Sequence, residues 1–208
     1  MYGLIWLFAY FIGSIPTAIM VSKYVFGVDI RDHGSQNPGA TNSLRVLGKK
    51  AASFVLLVDM GKGMLAALLP TLFKLEIDPL TIGLVAVIGH CFPIFAGFRG
   101  GKAIATTAGV LLVVNPWLFL ATYSIFFLII LLTKYIFAGS LSVGITLLLY
   151  SLIEAESGNP FLFFFFVIFL IFLHRSNIQN FINQREPKIN DKKHKKDRVP
   201  PKGGVFRM

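Results

Sequence analysis

The chain has 208 residues, of which 55% are hydrophobic and only 14% charged, and its mean hydropathy is +0.70. A water-soluble domain carries about a quarter charged residues, so the composition excludes that class and makes the bilayer the solvent for most of the chain. The net charge of +10 comes with no nucleic-acid-binding module and no interleaved aromatics, which points to anionic headgroups and not to nucleic acid.

Apolar runs fall near residues 2–23, 51–73, 80–98, 103–115, 116–133, 139–153 and 160–174, about seven spans by the length a bilayer requires. The expected fold is therefore an all-α membrane protein. The first run has no basic start and continues through Gly13, Ser14 and Pro16, so it reads as a spanning helix and not as a cleaved leader. Behind it comes "RDHGSQNPGATNSLRVLGKK". Gly34 and Gly39 permit left-handed backbone there, and small polar residues precede a helix start. Together these features can form a nest for an anion. Topology alone accounts for basic loops, but not for Ser35, Asn37, Thr41, Asn42 and Ser43 gathered beside Arg45.

The second span carries Asp59 and Lys62, three residues apart and so on one helical face. A self-satisfied ion pair is the expectation, with a proton or ion path as the alternative. In the third span His90 is expected to bridge helices or to act functionally, and Pro93 to end regular helix. Cys91, the only cysteine, can form no intramolecular disulfide. The loop "FRGGKAIATTAGV" repeats the theme of glycines and a lysine before a helix, though it lacks the upstream glycine and strand of a Walker A loop. Asn115-Pro116 separates the fourth span from the fifth. The last span ends in "LHRSNIQNFINQREPKI", where His174 and Asn177 share a face and Asn180 and Glu186 follow.

With seven spans, every Lys and Arg except Lys74 and the intramembrane Lys62 falls in the odd-numbered loops or the tail. Basic loops lie on the cytoplasmic side, so the N-terminus is expected outside and the C-terminus in the cytoplasm. Residues 1–186 form the membrane domain, and 187–208 a basic cytoplasmic tail expected to be disordered near anionic lipid. No His is followed five positions later by Asp, and no Gly-x-Ser-x-Gly or His-Glu-x-x-His is present.

"GSIPTA", "HGSQNPGATNSLRVLGKK", "LVDMGKG", "GHCFPIFAGFRGGKAIAT" and "HRSNIQNFINQREPKI" together resemble the bacterial acyl-phosphate:glycerol-3-phosphate acyltransferase family, in order and up to about Glu186. The resemblance implies a seven-helix enzyme of the bacterial inner membrane with its active site facing the cytoplasm. It would move a fatty acyl group from acyl phosphate to the sn-1 hydroxyl of glycerol 3-phosphate, giving lysophosphatidic acid and phosphate, the first step of phospholipid synthesis. Neither acyl-CoA nor acyl carrier protein would be needed, and another enzyme would supply the acyl phosphate. The site residues it implies are Ser35, Asn37, Thr41, Asn42 and Arg45 in the first loop, Gly100, Gly101 and Lys102 in the second, and Ser140, His174, Asn177 and Glu186. Where the family has glycine this chain has Gln36 and Ala103, and near Phe137 the family has small or hydroxyl residues. A Gln36 at positive φ would strain its turn.

Direct transfer is expected, because acyl phosphate already carries a good leaving group. Arg45 and Lys102 would offset the repulsion of two phosphates. His174 is of the residue type that titrates near neutrality and is the candidate general base, the alternative being the phosphate of the acyl donor. No metal and no organic cofactor is expected, so activity should survive excess chelator. The competing reading is a transporter or binding protein for phosphate or glycerol 3-phosphate, built around Asp59 and Lys62.

Overall fold

The computed structural model describes residues 2–154, 159–191 and 198–202, and every regular element among them is helical. The chain divides into two compact units, residues 1–114 with 192–208, and residues 115–191.

The first unit contains α1 (Tyr2–Gly13), α2 (Thr17–Val21), α3 (Ala40–Val46), α4 (Lys49–Leu72), α5 (Pro79–Cys91) and α6 (Ile104–Val114). Helix α4 packs against α1, α3, α5 and α6. Between membrane helices, lipid supplies no hydrophobic drive, so association depends on close backbone approach through small residues. Gly63 of α4 faces the Thr106 carbonyl and Gly109 of α6 faces the Met60 carbonyl, and a Cβ on either would overlap that backbone.

The first span is broken. Pro16 has no N–H and disfavours helix at the residue before it, so α1 stops at Gly13 and α2 resumes at Thr17, running on into a π turn at Ser22–Phe26. Pro93 has the expected effect: α5 ends at Cys91, and a single 3-10 turn, Ile94–Ala96, follows.

The second unit contains α7 (Pro116–Thr133), α8 (Ile136–Ile153), α9 (Pro160–Leu173) and α10 (Arg175–Ile182), with α8 packed between α7 and α9. Two helices start alike, with Asn115 and Asn159 accepting the N–H of Leu118 and Leu162 and proline in the first helical turn. The faces of α7 and α9 that make no helix contact carry exposed Trp117, Phe127, Leu131, Phe161 and Phe165, as lipid contact requires. Helices α9 and α10 meet at a bend of 58°.

Among the described residues five helical stretches are long and apolar enough to cross a membrane, and the bent α9–α10 pair makes a sixth. The expected fourth span differs. Helix α6 has 11 residues, about 17 Å at 1.5 Å per residue against a hydrocarbon core of roughly 30 Å. Part of the tail is ordered by contacts: the Ile189 N–H donates to the Lys134 carbonyl at 2.9 Å and the Val199 N–H to the Val46 carbonyl at 2.9 Å. Residues 192–197 and 203–208 of the tail, and 155–158 of the short acidic loop, lie outside the described residues.

Candidate active site

The first loop is stitched by one amide. Asn42, on the first turn of α3 and fully buried, accepts the Ser35 N–H at 2.9 Å and donates to the carbonyls of His33 at 2.9 Å and Ile30 at 3.3 Å. Gly34 sits at φ +60°, where a Cβ would meet the Asn42 amide oxygen. The Asn42 side chain thus shapes the loop from within. Ser35 is exposed, Asn37, Thr41 and Arg45 are half-buried, and Gly39 is buried at the N-cap of α3 without a side-chain cap. At the loop's entry the Arg31 guanidinium donates to Asp29 at 2.7 Å. That bond holds the Asp29 carboxyl well below the usual carboxylate range. The pair's contribution to stability is therefore present above about pH 4, the unfolded carboxylate's pKa, and is lost only in stronger acid.

The second loop is closed by its own backbone. The N–H groups of Gly100 and Gly101 donate to the carbonyls of Cys91 and His90, both at 3.1 Å. These two donors therefore complete the C-terminal end of α5, whose last carbonyls lack helical partners. A Cβ on Gly100 would overlap the His90 carbonyl, and one on Gly101 would overlap the His90 ring at Nε2. Lys102, half-buried, follows them into α6.

Behind that loop lies a buried ion cluster. Lys62 Nζ is 2.8 Å from Asp59 Oδ1, donates to the Ile15 carbonyl at 2.8 Å, and lies 3.3 Å from His90 Nδ1. Thr17 Oγ donates to Asp59 Oδ1 at 3.0 Å. The Ile15 carbonyl is one that the break at Pro16 frees from helical bonding; it accepts the Thr17 N–H at 3.0 Å, and inside a membrane its remaining lone pair favours a second donor. Lys62 supplies it. The self-satisfied pair and the bridging histidine expected from sequence are both present, with Thr17 and the Ile15 carbonyl as partners that the spacing of charged residues did not reveal. Thr17, Pro38, Asp59, Lys62, His90 and Gly101 border one narrow cavity, which brings both glycine loops to the same place.

The second unit carries the remaining four. His174 is 3% exposed and stands at the α9–α10 bend, with Nδ1 2.9 Å from the Leu170 carbonyl. A carbonyl only accepts, so Nδ1 bears the hydrogen in that contact. That backbone carbonyl orients the ring. Asn177 Nδ2 donates to Glu186 Oε1 at 2.7 Å, which ties α10 to the segment that follows it. Ser140 is buried one turn into α8, and its hydroxyl donates to the Ile136 carbonyl at 3.1 Å.

The sequence model of the glycerol-3-phosphate acyltransferase family matches residues 3–184. The glycerol-3-phosphate acyltransferase of Bacillus subtilis is 46% identical over 187 residues, covering 90% of this chain and 97% of that protein. That of Geobacillus kaustophilus is 42% identical over 190 residues, covering 91% and 96%. The crystal structure of PlsY, an integral membrane glycerol 3-phosphate acyltransferase, in its glycerol 3-phosphate form superposes with a TM-score of 0.81 at 34% identity, covering 90% of this chain and 94% of that one. The chain belongs to the glycerol-3-phosphate acyltransferase family.

Against that family pattern the three departures acquire a structural meaning. Gln36 has φ +60° and Ala103 has φ +73°, both in the left-handed region that favours glycine. Each of the two loops therefore carries a side chain where its backbone would be relaxed without one. Phe137 is nearly buried, its ring 5.5 Å from Phe181 and 5.9 Å from Tyr135. In this acyltransferase-family chain the bulk at position 137 thus completes an aromatic cluster that pins α10 to the start of α8.

Proposed function

We propose that the protein is a multi-pass membrane acyltransferase that moves a fatty acyl group from acyl phosphate to the sn-1 hydroxyl of glycerol 3-phosphate, releasing phosphate and lysophosphatidic acid. The single observation that carries this reading is the likeness in fold and sequence to PlsY, solved in glycerol 3-phosphate and lysophosphatidic acid forms. We place it in the bacterial inner membrane with its two glycine loops toward the cytoplasm, on the distribution of Lys and Arg. An upstream enzyme provides the acyl phosphate.

The hydroxyl oxygen attacks the acyl carbonyl carbon, the carbon–oxygen bond to phosphate breaks, and the hydroxyl proton leaves with the departing phosphate. Arg45 and Lys102 supply positive charge against the phosphates. The loops hold those side chains: in the second, the glycine N–H groups engage the end of α5, so binding there falls to Lys102. His174 positions substrate. Asn177, Glu186 and Ser140 keep the α9–α10 bend and the start of α8 in place. The transport reading loses its main support, since Asp59 and Lys62 are matched by each other, Thr17, His90 and the Ile15 carbonyl.

The test is product formation by purified protein in detergent, given palmitoyl phosphate and glycerol 3-phosphate, with palmitoyl-CoA in parallel. Phosphate and lysophosphatidic acid should appear in equal amounts from acyl phosphate alone, and Lys102→Ala should abolish both. Activity with palmitoyl-CoA only would overturn the donor assignment. In the same assay His174→Gln should keep turnover within about tenfold, whereas loss of a general base costs roughly a hundredfold or more.

A further inference from the structure

We propose that residues Arg198–Lys202 act as a strap that holds α3 in place, and that Val199 is thereby a positioning residue for Arg45. The strap lies outside residues 3–184, the part matched by the family model. The inference rests on the phosphate role given to Arg45 above.

Helix α3 has seven residues, Ala40–Val46, too few to be stable without tertiary support. Its N-cap is Gly39, which offers no side chain, and at its other end the Ser43 carbonyl takes the N–H groups of both Leu47 and Gly48. The Val46 carbonyl is one of the last-turn acceptors that a helix cannot satisfy internally. The Val199 N–H donates to it at 2.9 Å.

Two further contacts fix the strap. The Val199 side chain packs on the buried cluster of Ala18, Ile19, Phe26, Ile30, Val46 and Leu47, which is the floor of the first loop. The aliphatic stem of Lys202 occupies the space in front of Gly27, where the backbone is left-handed at φ +72° and where any Cβ would displace it. Pro200 and Pro201 lie between these contacts. Their fixed φ keeps the segment extended and lowers the entropy lost on docking. The strap therefore bridges the end of the first span and the end of α3. Arg45 is the residue beside its hydrogen bond.

The experiment compares full-length protein with a chain ending at Asp197, with Val199→Asp and with Val199→Ile. Amide hydrogen exchange across residues 40–48 and the KM and kcat for glycerol 3-phosphate are both measured. Truncation and Val199→Asp should speed exchange in α3 and raise KM by roughly threefold to tenfold, the size expected for one lost hydrogen bond and its apolar contact. The kcat should change less than KM, and Val199→Ile should behave as the parent. Unchanged exchange in both disruptive variants would overturn the strap. Faster exchange with unchanged KM would overturn its link to Arg45. If the parent protein transfers no acyl group, the activity reading fails while the exchange data still decide whether the strap holds α3.

Discussion

The two glycine loops of the first unit look alike in sequence and are supported differently. The first, around Ser35–Arg45, is held by a neutral side chain, since the Asn42 amide makes three bonds to its backbone. The second, Gly100–Lys102, is held by backbone bonds to the end of α5, and behind it His90 leans on a buried Asp59–Lys62 pair. The difference teaches that small residues before a helix do not by themselves define an open nest of N–H groups. In one loop the glycines admit an amide side chain, and in the other they admit a histidine ring. At the end of each loop stands a charged side chain, Arg45 or Lys102.

The second loop should therefore be far more sensitive to its support than the first. Lys62→Met leaves Asp59, only 2% exposed, as a buried charge without its ion-pair partner and removes one of the two donors to the Ile15 carbonyl. Loss of one partner of a buried pair costs about 3–5 kcal/mol, so thermal unfolding in detergent should show the largest drop of any variant considered. Asp59→Asn combined with Lys62→Met removes both charges and should recover part of that loss. A melting temperature unchanged by Lys62→Met would show that the cluster does not brace the loop.

Asn42→Ala is the matching test of the first loop. It strands the Ser35 N–H and takes one of two donors from the His33 and Ile30 carbonyls without charge being involved, which costs about 1–3 kcal/mol. The expected result is a smaller drop in melting temperature than for Lys62→Met, together with a raised KM for glycerol 3-phosphate, because the loop that carries Arg45 loosens. A drop as large as that of Lys62→Met would erase the contrast between the loops.

Much of this was legible beforehand because the bilayer imposes strong rules. Apolar run length located the long helices, Asn-Pro marked the start of α7, and the three-residue spacing of Asp59 and Lys62 foretold their pairing. What could not be read depends on distant residues meeting. Nothing in the sequence links Lys62 to the carbonyl of Ile15, since that acceptor exists only because Pro16 breaks the first span. The short reach of α6 follows from an apolar run bounded by Lys102 and Asn115, fewer residues than a full span needs. The docking of Val199 was hidden for a different reason: charge composition argues for disorder and is blind to one valine between basic residues.

The finest distinction between the loops lies in their strained residues. Gln36 and Ala103 share left-handed φ values of +60° and +73°, but Gln36 is exposed and Ala103 is fully buried. A left-handed conformation costs an ordinary residue about 1–2 kcal/mol, and glycine returns roughly 0.5–1 kcal/mol of that through its greater freedom when unfolded. Gln36→Gly should thus stabilise by about 0.5–1 kcal/mol, which for a chain of this size raises the melting temperature by roughly 1–4 °C. Ala103→Gly relieves the same backbone but removes a buried methyl worth about 0.8 kcal/mol, so its melting temperature should stay close to the parent's. An equal rise in both would mean that the Ala103 methyl packs to no effect. No rise in Gln36→Gly would mean that the glutamine side chain makes a contact that offsets its backbone strain.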